Sequence, residues 1–245
     1  MQARRGLFRL FRLLAAAGLL VLLSGCAVTV PGTALPEPRP VATADSAVGA
    51  LFDGPDHYCS GSVVDSPAGD VVLTAAHCVA AGDGTPAATG MTFVPGYHDG
   101  VEPYGEWTVE SAAVDPHFLA DADPDYDVAF LRVSGPVEDV TGGFAVDFDP
   151  GAGDSVTAVG YPIEDDGPTV RSGVTAQLSA TQLELPAPGL ENGTSGGPWL
   201  RADGTLVGLT GGYEQGGYDY DTSYSTYLGR GFADLRDQVV DVPAV

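Results

Sequence analysis

The sequence contains no lysine, and positive charge of any kind is scarce. All ten of its cations are arginines, against 33 aspartates and glutamates, which gives a formal net charge of -23. Four of the arginines lie in the first 12 residues, so the remaining chain has six arginines against 33 acids, a balance of -27. Phosphate backbones and anionic lipids are bound through cations. General nucleic-acid binding and attachment to anionic membranes by a basic patch are therefore excluded.

The sequence also lacks a hydrophobic run long enough to span a membrane. The apolar run Leu13–Leu23 has 11 residues, whereas a spanning helix needs about 20. It follows the four arginines and fits the apolar region of a signal peptide. It is followed by Ser24, Gly25 and Cys26, which resembles the bacterial lipoprotein signal, in which the cysteine is acylated and becomes the N-terminus. We expect residues 1–25 to be a signal peptide, with a lipid on Cys26 that anchors an exported protein to the outer face of the cytoplasmic membrane. The alternative is an ordinary secretory signal and a secreted protein.

Residues 26–47 show no hydrophobic periodicity. Prolines stand at positions 31, 36, 38 and 40, and spaced prolines favour an extended, semi-rigid tether. A disordered N-terminal tail is the alternative. The chain as a whole is 44% hydrophobic and holds 34 glycines, which is too apolar for a disordered acidic protein. We therefore place a folded domain at residues 48–245.

Cysteine is rare, with three residues in the chain. If Cys26 carries a lipid, Cys59 and Cys78 remain as a pair, and export makes a disulfide the expected state. The bridge would close a loop of about 20 residues and contribute roughly 3 kcal/mol to stability. A zinc site is the weaker alternative, because two cysteines without CxxC spacing supply too few ligands.

Helical periodicity is nearly absent, and the domain is predicted to be all-β. Short runs rich in β-forming residues alternate with Gly, Pro and Asp, which is typical of a sandwich or barrel. The predicted strands are 62–64, 71–74, 91–94, 107–114, 128–133, 155–161, 174–178, 182–185, 206–210 and 224–228. Phe232, Leu235 and Val239 share one helical face, so a helix is predicted over Phe232–Val240. No internal repeat is present.

Three short motifs have residues suited to nucleophilic catalysis. They are a histidine in Leu73–Cys78, an aspartate in Asp125–Leu131 and a serine in Asn192–Pro198. A serine hydroxyl needs a base to take its proton, and the base needs an acid that fixes its tautomer. Glycines beside the serine leave backbone N–H groups available to hold an oxyanion.

The order of these motifs along the chain separates the possible folds. All four histidines precede Ser195, which excludes the α/β-hydrolase order despite a G-x-S-x-G match. The subtilisin order would need an upstream acid (Asp53, Asp56, Asp65 or Asp70) and a parallel α/β architecture, which the lack of internal helices opposes. The order His, Asp, Ser on an all-β chain remains.

With these motifs the sequence resembles the chymotrypsin/trypsin-like serine endopeptidases over about residues 48–245. The run Val156–Pro162 is similar to the bacterial branch that includes the glutamyl endopeptidases. The resemblance implies two six-stranded antiparallel β-barrels, at about residues 48–140 and 141–230, followed by a C-terminal α-helix at about 231–240.

The resemblance also implies roles for individual residues. His77 matches the general base, Asp127 the acid that orients it, and Ser195 the nucleophile. The amides of Gly193 and Ser195 match the oxyanion hole, and Cys59–Cys78 matches the disulfide beside the histidine. The expected substrate is a protein or peptide. No cofactor, no metal and no nucleic-acid partner are implied, and we expect a monomer.

Two departures from the family pattern concern activation and specificity. Thr194 stands where trypsin-like members carry an aspartate that pairs with a newly cut N-terminus, so we expect activity without N-terminal processing. Gly189 replaces the acid at the base of the trypsin pocket. The glutamyl branch selects its substrate with a histidine that follows the serine, and no histidine follows His117 in this sequence. Thr210, Gly211 and Gly212 match the pocket wall. We expect a small or apolar residue at the P1 position.

Other features leave alternatives open. The alternating Asp121, Asp123 and Asp125 fail as an EF-hand loop, because Tyr126 and Arg132 occupy the positions of its Gly and Glu, and an exposed acidic loop is expected. The tyrosine-rich stretch 213–227 would either line the cleft or form a polar surface loop. A catalytically silent binding module on the same fold and an esterase-like hydrolase are the rival functions.

Overall fold

The computed structural model describes residues 38–240. The predicted signal peptide, Cys26 and the first part of the tether lie outside the described residues. The thirteen strands are β1 Val48–Asp53, β2 Asp56–Val63, β3 Val71–Thr74, β4 Thr92–Pro95, β5 Trp107–Val114, β6 Ala129–Val133, β7 Ser155–Gly160, β8 Thr169–Val174, β9 Ala176–Gln177, β10 Gln182–Leu185, β11 Pro198–Arg201, β12 Leu206–Leu209 and β13 Ser223–Thr226.

Helices are few and mostly short, as the sequence predicts. The α-helices are α1 Ala44–Ala47, α2 Pro116–Asp121, α3 Glu138–Thr141 and α4 Gly231–Val240. Single 3-10 turns lie at Ala76–Cys78, Pro124–Tyr126 and Tyr213–Gly216. Helix α4 buries Phe232, Leu235 and Val239, the three residues whose spacing predicts it. Among residues 38–240, no helix has the length and apolar character needed to cross a membrane.

The first half of the domain is a closed six-stranded barrel. Its strands follow the order β1-β2-β3-β6-β5-β4, and every neighbouring pair is antiparallel. Strand β3 is buried along its whole length, and so is β6. A closed barrel leaves no free strand edge. Strand β3 ends just before the turn that carries His77, and β6 begins two residues after Asp127.

The second half is also β-structure, arranged in two sheets. One has the order β12-β11-β7-β8 and the other β13-β10-β9. Hydrogen bonds join them where β8 runs into β9, from Thr175 N to Asp154 O, and beyond β12, from Gly211 N to Tyr224 O. The predicted all-β class with a C-terminal helix is confirmed. The predicted second six-stranded barrel takes the form of these two short-stranded sheets, joined at their ends.

Residues 38–47, which the sequence analysis assigns to the tether, fold onto the first barrel. The Arg39 guanidinium forms ion pairs with Glu138 at 2.9 Å and Asp139 at 2.8 Å, and it donates to Ser66 O. Helix α1 follows immediately and leads into β1. Within the described residues, the chain is thus in contact with the barrel before Val48, because Arg39 pairs with the buried Glu138 and the exposed Asp139.

Candidate active site

His77 is held at the end of a buried strand. Strand β3 ends at Thr74, and the 3-10 turn Ala76–Cys78 then carries the histidine. Cys78 is bonded to Cys59 of β2, with an S–S distance of 2.01 Å and a Cα–Cα distance of 6.2 Å. The predicted disulfide is thus present. It ties the turn to the neighbouring strand, and the imidazole is 12% exposed.

Asp127 is buried and fixes the orientation of His77. Its carboxylate accepts hydrogen bonds from His77 Nδ1 at 2.7 Å and from the His77 backbone N–H at 2.8 Å. A third hydrogen bond comes from Gly212 N at 2.7 Å. Because a carboxylate accepts and does not donate, the His77 proton resides on Nδ1, and Nε2 is left as the basic atom. This is the geometry that a general base requires.

Ser195 lies on a tight turn that reaches across to the first barrel. Gly196 N donates to Thr210 O and Gly197 N to Thr194 O, which closes the turn. Ser60 N of strand β2 donates to Ser195 O at 2.7 Å and so joins the turn to the first half. Within residues 38–240, Ser195 Oγ and His77 Nε2 form no hydrogen bond. In resting enzymes this contact is commonly long and tightens when substrate binds.

Hydrogen bonds to the preceding carbonyls fix the orientation of the Gly193 and Ser195 amides. The carbonyl of Asn192 accepts from Ile163 N at 2.8 Å, and the carbonyl of Thr194 accepts from Gly197 N at 2.9 Å. A trans peptide points its C=O and N–H in opposite directions. The N–H groups of Gly193 and Ser195 therefore point away from these contacts. In the described part of the chain neither of them has an acceptor, which suits an oxyanion hole.

An open cleft of about 420 Å³ runs beside Ser195. Its lining is drawn from residues 162–164, 190–192, 194–195, 210 and 215–220. Thr210 lines it as predicted, and Tyr218 and Tyr220 of the tyrosine-rich stretch line it too. Three exposed carboxylates face it, those of Glu164, Glu191 and Asp219. The lining of the cleft is therefore largely polar, with exposed negative charge.

The other predicted pocket residues lie behind this lining. Gly211 packs against Asp127, and the Gly212 amide donates to it. Gly189 lies beside the guanidinium of Arg171, and its N–H donates to Tyr220 O at 3.0 Å. The structure thus uses Gly212 to support the acid, a contact that the sequence analysis did not anticipate. No residue-type pattern marks a backbone donor.

The described residues offer no cluster suited to a metal. The one group of three His, Cys, Asp or Glu side chains found there is Cys59, His77 and Cys78, and the disulfide removes both thiolates. The candidate acidic loop has local structural contacts instead. Asp123 accepts from the Asp125 backbone N–H, and Asp125 accepts from the Gln182 amide.

Comparison with known proteins agrees with this geometry. Residues 59–209 match the family described as the trypsin-like peptidase domain. The protease Anisep from Arthrobacter nicotinovorans is 26% identical, with a TM-score of 0.70, over 84% of this chain and 98% of that one. The thermostable serine protease AL20 from an extremophilic microorganism is 22% identical, with a TM-score of 0.72, over 81% of this chain and 99% of its own.

A Glu endopeptidase is 18% identical, with a TM-score of 0.68, over 81% of this chain and 91% of its own. No curated protein sequence matches the chain. The family match covers more than half of the chain, from Cys59 through Leu209, and includes His77, Asp127 and Ser195. The chain therefore belongs to the trypsin-like peptidase family and is a serine endopeptidase.

Proposed function

We propose that this protein is an exported endopeptidase that cleaves peptide bonds with His77, Asp127 and Ser195. Ser195 Oγ attacks the scissile carbonyl as His77 Nε2 takes its proton, and the N–H groups of Gly193 and Ser195 stabilise the oxyanion. His77 then protonates the leaving amine, and an acyl-enzyme remains. Water attacks the ester with His77 as base, and Ser195 regains its proton when the acid product leaves.

The hydrogen-bonded pair of His77 and buried Asp127 carries this proposal. The carboxylate accepts three hydrogen bonds and lies just before β6, a strand that is buried along its whole length. In that setting it stabilises the imidazolium that forms when Ser195 is deprotonated. The N–H groups of Gly193 and Ser195, which have no acceptor in the described residues, are available to donate hydrogen bonds to the oxyanion that forms during the reaction.

The cleft supports a small or apolar P1 residue. Leu190 lies among the residues that line the cleft with Ser195, together with the small residues Thr194 and Thr210. The exposed carboxylates of Glu164 and Glu191 repel an acidic side chain. Glutamate specificity, which the Glu endopeptidase is named for, is therefore disfavoured in this chain.

We further propose export and lipid attachment at Cys26, as the sequence of residues 1–26 suggests. The test is expression of the full chain in a bacterium that processes lipoproteins, with Cys26→Ala alongside. Membrane fractionation and the mass of the N-terminal peptide are the measurements. A diacylated peptide in the membrane fraction, lost in the variant, is expected. Release of both forms to the medium would contradict anchoring and support an ordinary secretory signal.

The activity is tested with a fluorophosphonate on residues 38–245, which include every residue that the structure describes. Intact mass should show a single adduct that is absent in Ser195→Ala. Peptide turnover should fall about 10⁶-fold in Ser195→Ala or His77→Ala, and no further in the double variant, because the triad acts as a unit.

Other outcomes would assign a different function. Folded protein that takes up no adduct would contradict the proposal and favour the silent binding module. Turnover of small esters without peptide cleavage would favour the esterase-like alternative. A peptide library then measures P1, and cleavage confined to Glu, Arg or Lys would overturn the proposed small or apolar preference.

A further inference from the structure

Ser60 is a buried serine of the first barrel that lies directly behind the oxyanion hole. It stands in β2 next to Cys59, pairs with Ala50 of β1, and is 0% exposed. No motif draws attention to it in the sequence. Its side chain nevertheless makes contacts with two backbone segments that come from the second half of the domain.

The Ser60 hydroxyl bridges these two segments. It donates to the carbonyl of Gly193 at 2.8 Å and accepts from the backbone N–H of Tyr161 at 2.8 Å. The Ser60 backbone N–H donates to Ser195 O at 2.7 Å. One residue thus binds both ends of the Gly193–Ser195 segment and the strand end that supports it.

This bridge completes a series of fixed carbonyls around the hole. Those of Asn192 and Thr194 accept from Ile163 N and Gly197 N, and Ser60 Oγ holds the one between them, on Gly193. Gly193 has a φ of +96°, and a Cβ there would meet Tyr161 O and Ile163 N, so the segment needs glycine to approach this closely. Every peptide plane from 192 to 195 is therefore set by a hydrogen bond to its carbonyl.

We propose that Ser60 is a positioning residue for the oxyanion hole. It acts through Gly193 and touches no reacting atom. The inference rests on the proposed peptidase function. The residue before the nucleophile, Thr194, is 1% exposed, and its hydroxyl donates to Glu191 O. It has no charge to pair with a newly cut N-terminus. The hydrogen bond from Ser60 therefore orders the Gly193–Ser195 segment in place of such an ion pair.

The test compares Ser60→Ala with Ser62→Ala in residues 38–245. Ser62 is a matched control, because it lies on the same strand and is also 0% exposed, but its hydroxyl has no partner in the described residues. Ser60→Thr keeps the hydroxyl and serves as the rescue. Peptide kcat and KM, and inhibition by a peptide aldehyde, are measured on protein shown by circular dichroism and thermal melting to be folded.

Losing one oxyanion-hole donor typically costs about 10²–10³ in kcat. Misplacing it should cost less, so Ser60→Ala should lose about 10–100-fold in kcat with little change in KM. Aldehyde affinity should fall by the same factor, because the aldehyde forms an oxyanion adduct. Ser60→Thr should recover most of the loss, and Ser62→Ala should match the unaltered protein.

Equal kcat in folded Ser60→Ala, or a loss confined to KM, would overturn the inference. A lower melting temperature with unchanged kcat would show a purely structural role and would overturn it too. Failure of the proposed function looks different: hydrolysis would then persist in Ser195→Ala, or be absent from the unaltered protein.

Discussion

The two halves of the domain differ in how they hold the proposed catalytic residues. The first half is a closed barrel whose β3 and β6 are wholly buried, and it carries His77 and Asp127 at the ends of those strands. The second half has two sheets of short strands and carries Ser195 on a glycine-rich turn. The proposed acid and base thus lie beside buried barrel strands, with one further contact from Gly212 of the second half, whereas the proposed nucleophile lies on a turn that contacts Ser60 of the first half.

The cores of the two halves differ in the same way. Within the described residues, a separate cluster in the second half has seven buried members, and Trp199 is the largest of them. The larger cluster fills the first barrel, takes in helix α4 and also includes Val159, Tyr161, Leu200, Leu206, Leu209 and Leu228 of the second half. A small cluster depends more on each side chain that fills it, so we expect a truncation within the seven-member cluster to be costly.

The two tryptophans, one in each half, test this difference directly. Trp199 is 0% exposed and donates to Thr210 Oγ1, whereas Trp107 of β5 is half-buried and donates to Tyr104 O. Trp199→Ala should cost about 3–5 kcal/mol, as full truncation of a buried aromatic usually does. Trp107→Ala should cost less. Urea unfolding of both variants measures the difference, and equal losses would contradict the contrast between the cores.

Removing the disulfide tests the first half. The bridge closes a loop with a sequence separation of 19, so the double variant Cys59→Ala/Cys78→Ala should lose roughly 3 kcal/mol of stability. The strands on both sides are buried, so His77 should keep its place and kcat should fall much less than stability. Thermal unfolding and kcat below the transition are the measurements. If kcat of the double variant fell by about 10⁶-fold, as expected for loss of His77 itself, the disulfide and not the barrel would position His77.

The smallest effect is expected at the N-terminal attachment. Arg39→Ala leaves Glu138 with the Ser66 N–H as its remaining partner, and we expect a loss of about 1 kcal/mol, because Arg39 is partly exposed. Burial raises the pKa of Glu138, and Arg39 opposes that shift. Without Arg39 the folded protein holds the Glu138 proton to higher pH than the unfolded chain does.

Stability of the variant should therefore fall more steeply as pH rises from about 4 to 7. Its deficit in melting temperature should be larger at pH 7 than at pH 4, and Arg39→Lys should recover part of it. A deficit independent of pH would show that the guanidinium acts through packing against the barrel and not through its charge.

Much of the fold could be predicted from local patterns. Strands β3, β5 and β10 have the predicted bounds, because continuous or alternating hydrophobic residues end there at Gly, Pro or polar residues. Strands β1, β8 and β11 were not predicted. A glycine interrupts β1, β8 alternates between exposed and half-exposed positions without an apolar face, and β11 starts at a proline. Their pairing comes from neighbouring strands and not from their own composition.

The residues of the candidate site also differ in whether sequence motifs predict them. His77, Asp127 and the Cys59–Cys78 bridge could be placed from motifs, because each depends on a side chain of a particular type. The Gly212 amide on Asp127 and the Ser60 hydroxyl on Gly193 could not. A backbone N–H is common to almost every residue, and a buried serine in a strand is ordinary. Their roles follow from which segments the fold brings together.

The turn that carries Ser195 has a thermodynamic consequence. Its hydrogen bonds to Ser60 join the two halves, so the hole is ordered only while the halves stay together. Linkage then works in both directions. A covalent adduct or a tightly bound oxyanion mimic in the hole also raises the free energy needed to separate the halves. Occupancy of the cleft therefore makes unfolding of the domain more cooperative. It also makes the domain more resistant to cleavage by other proteases.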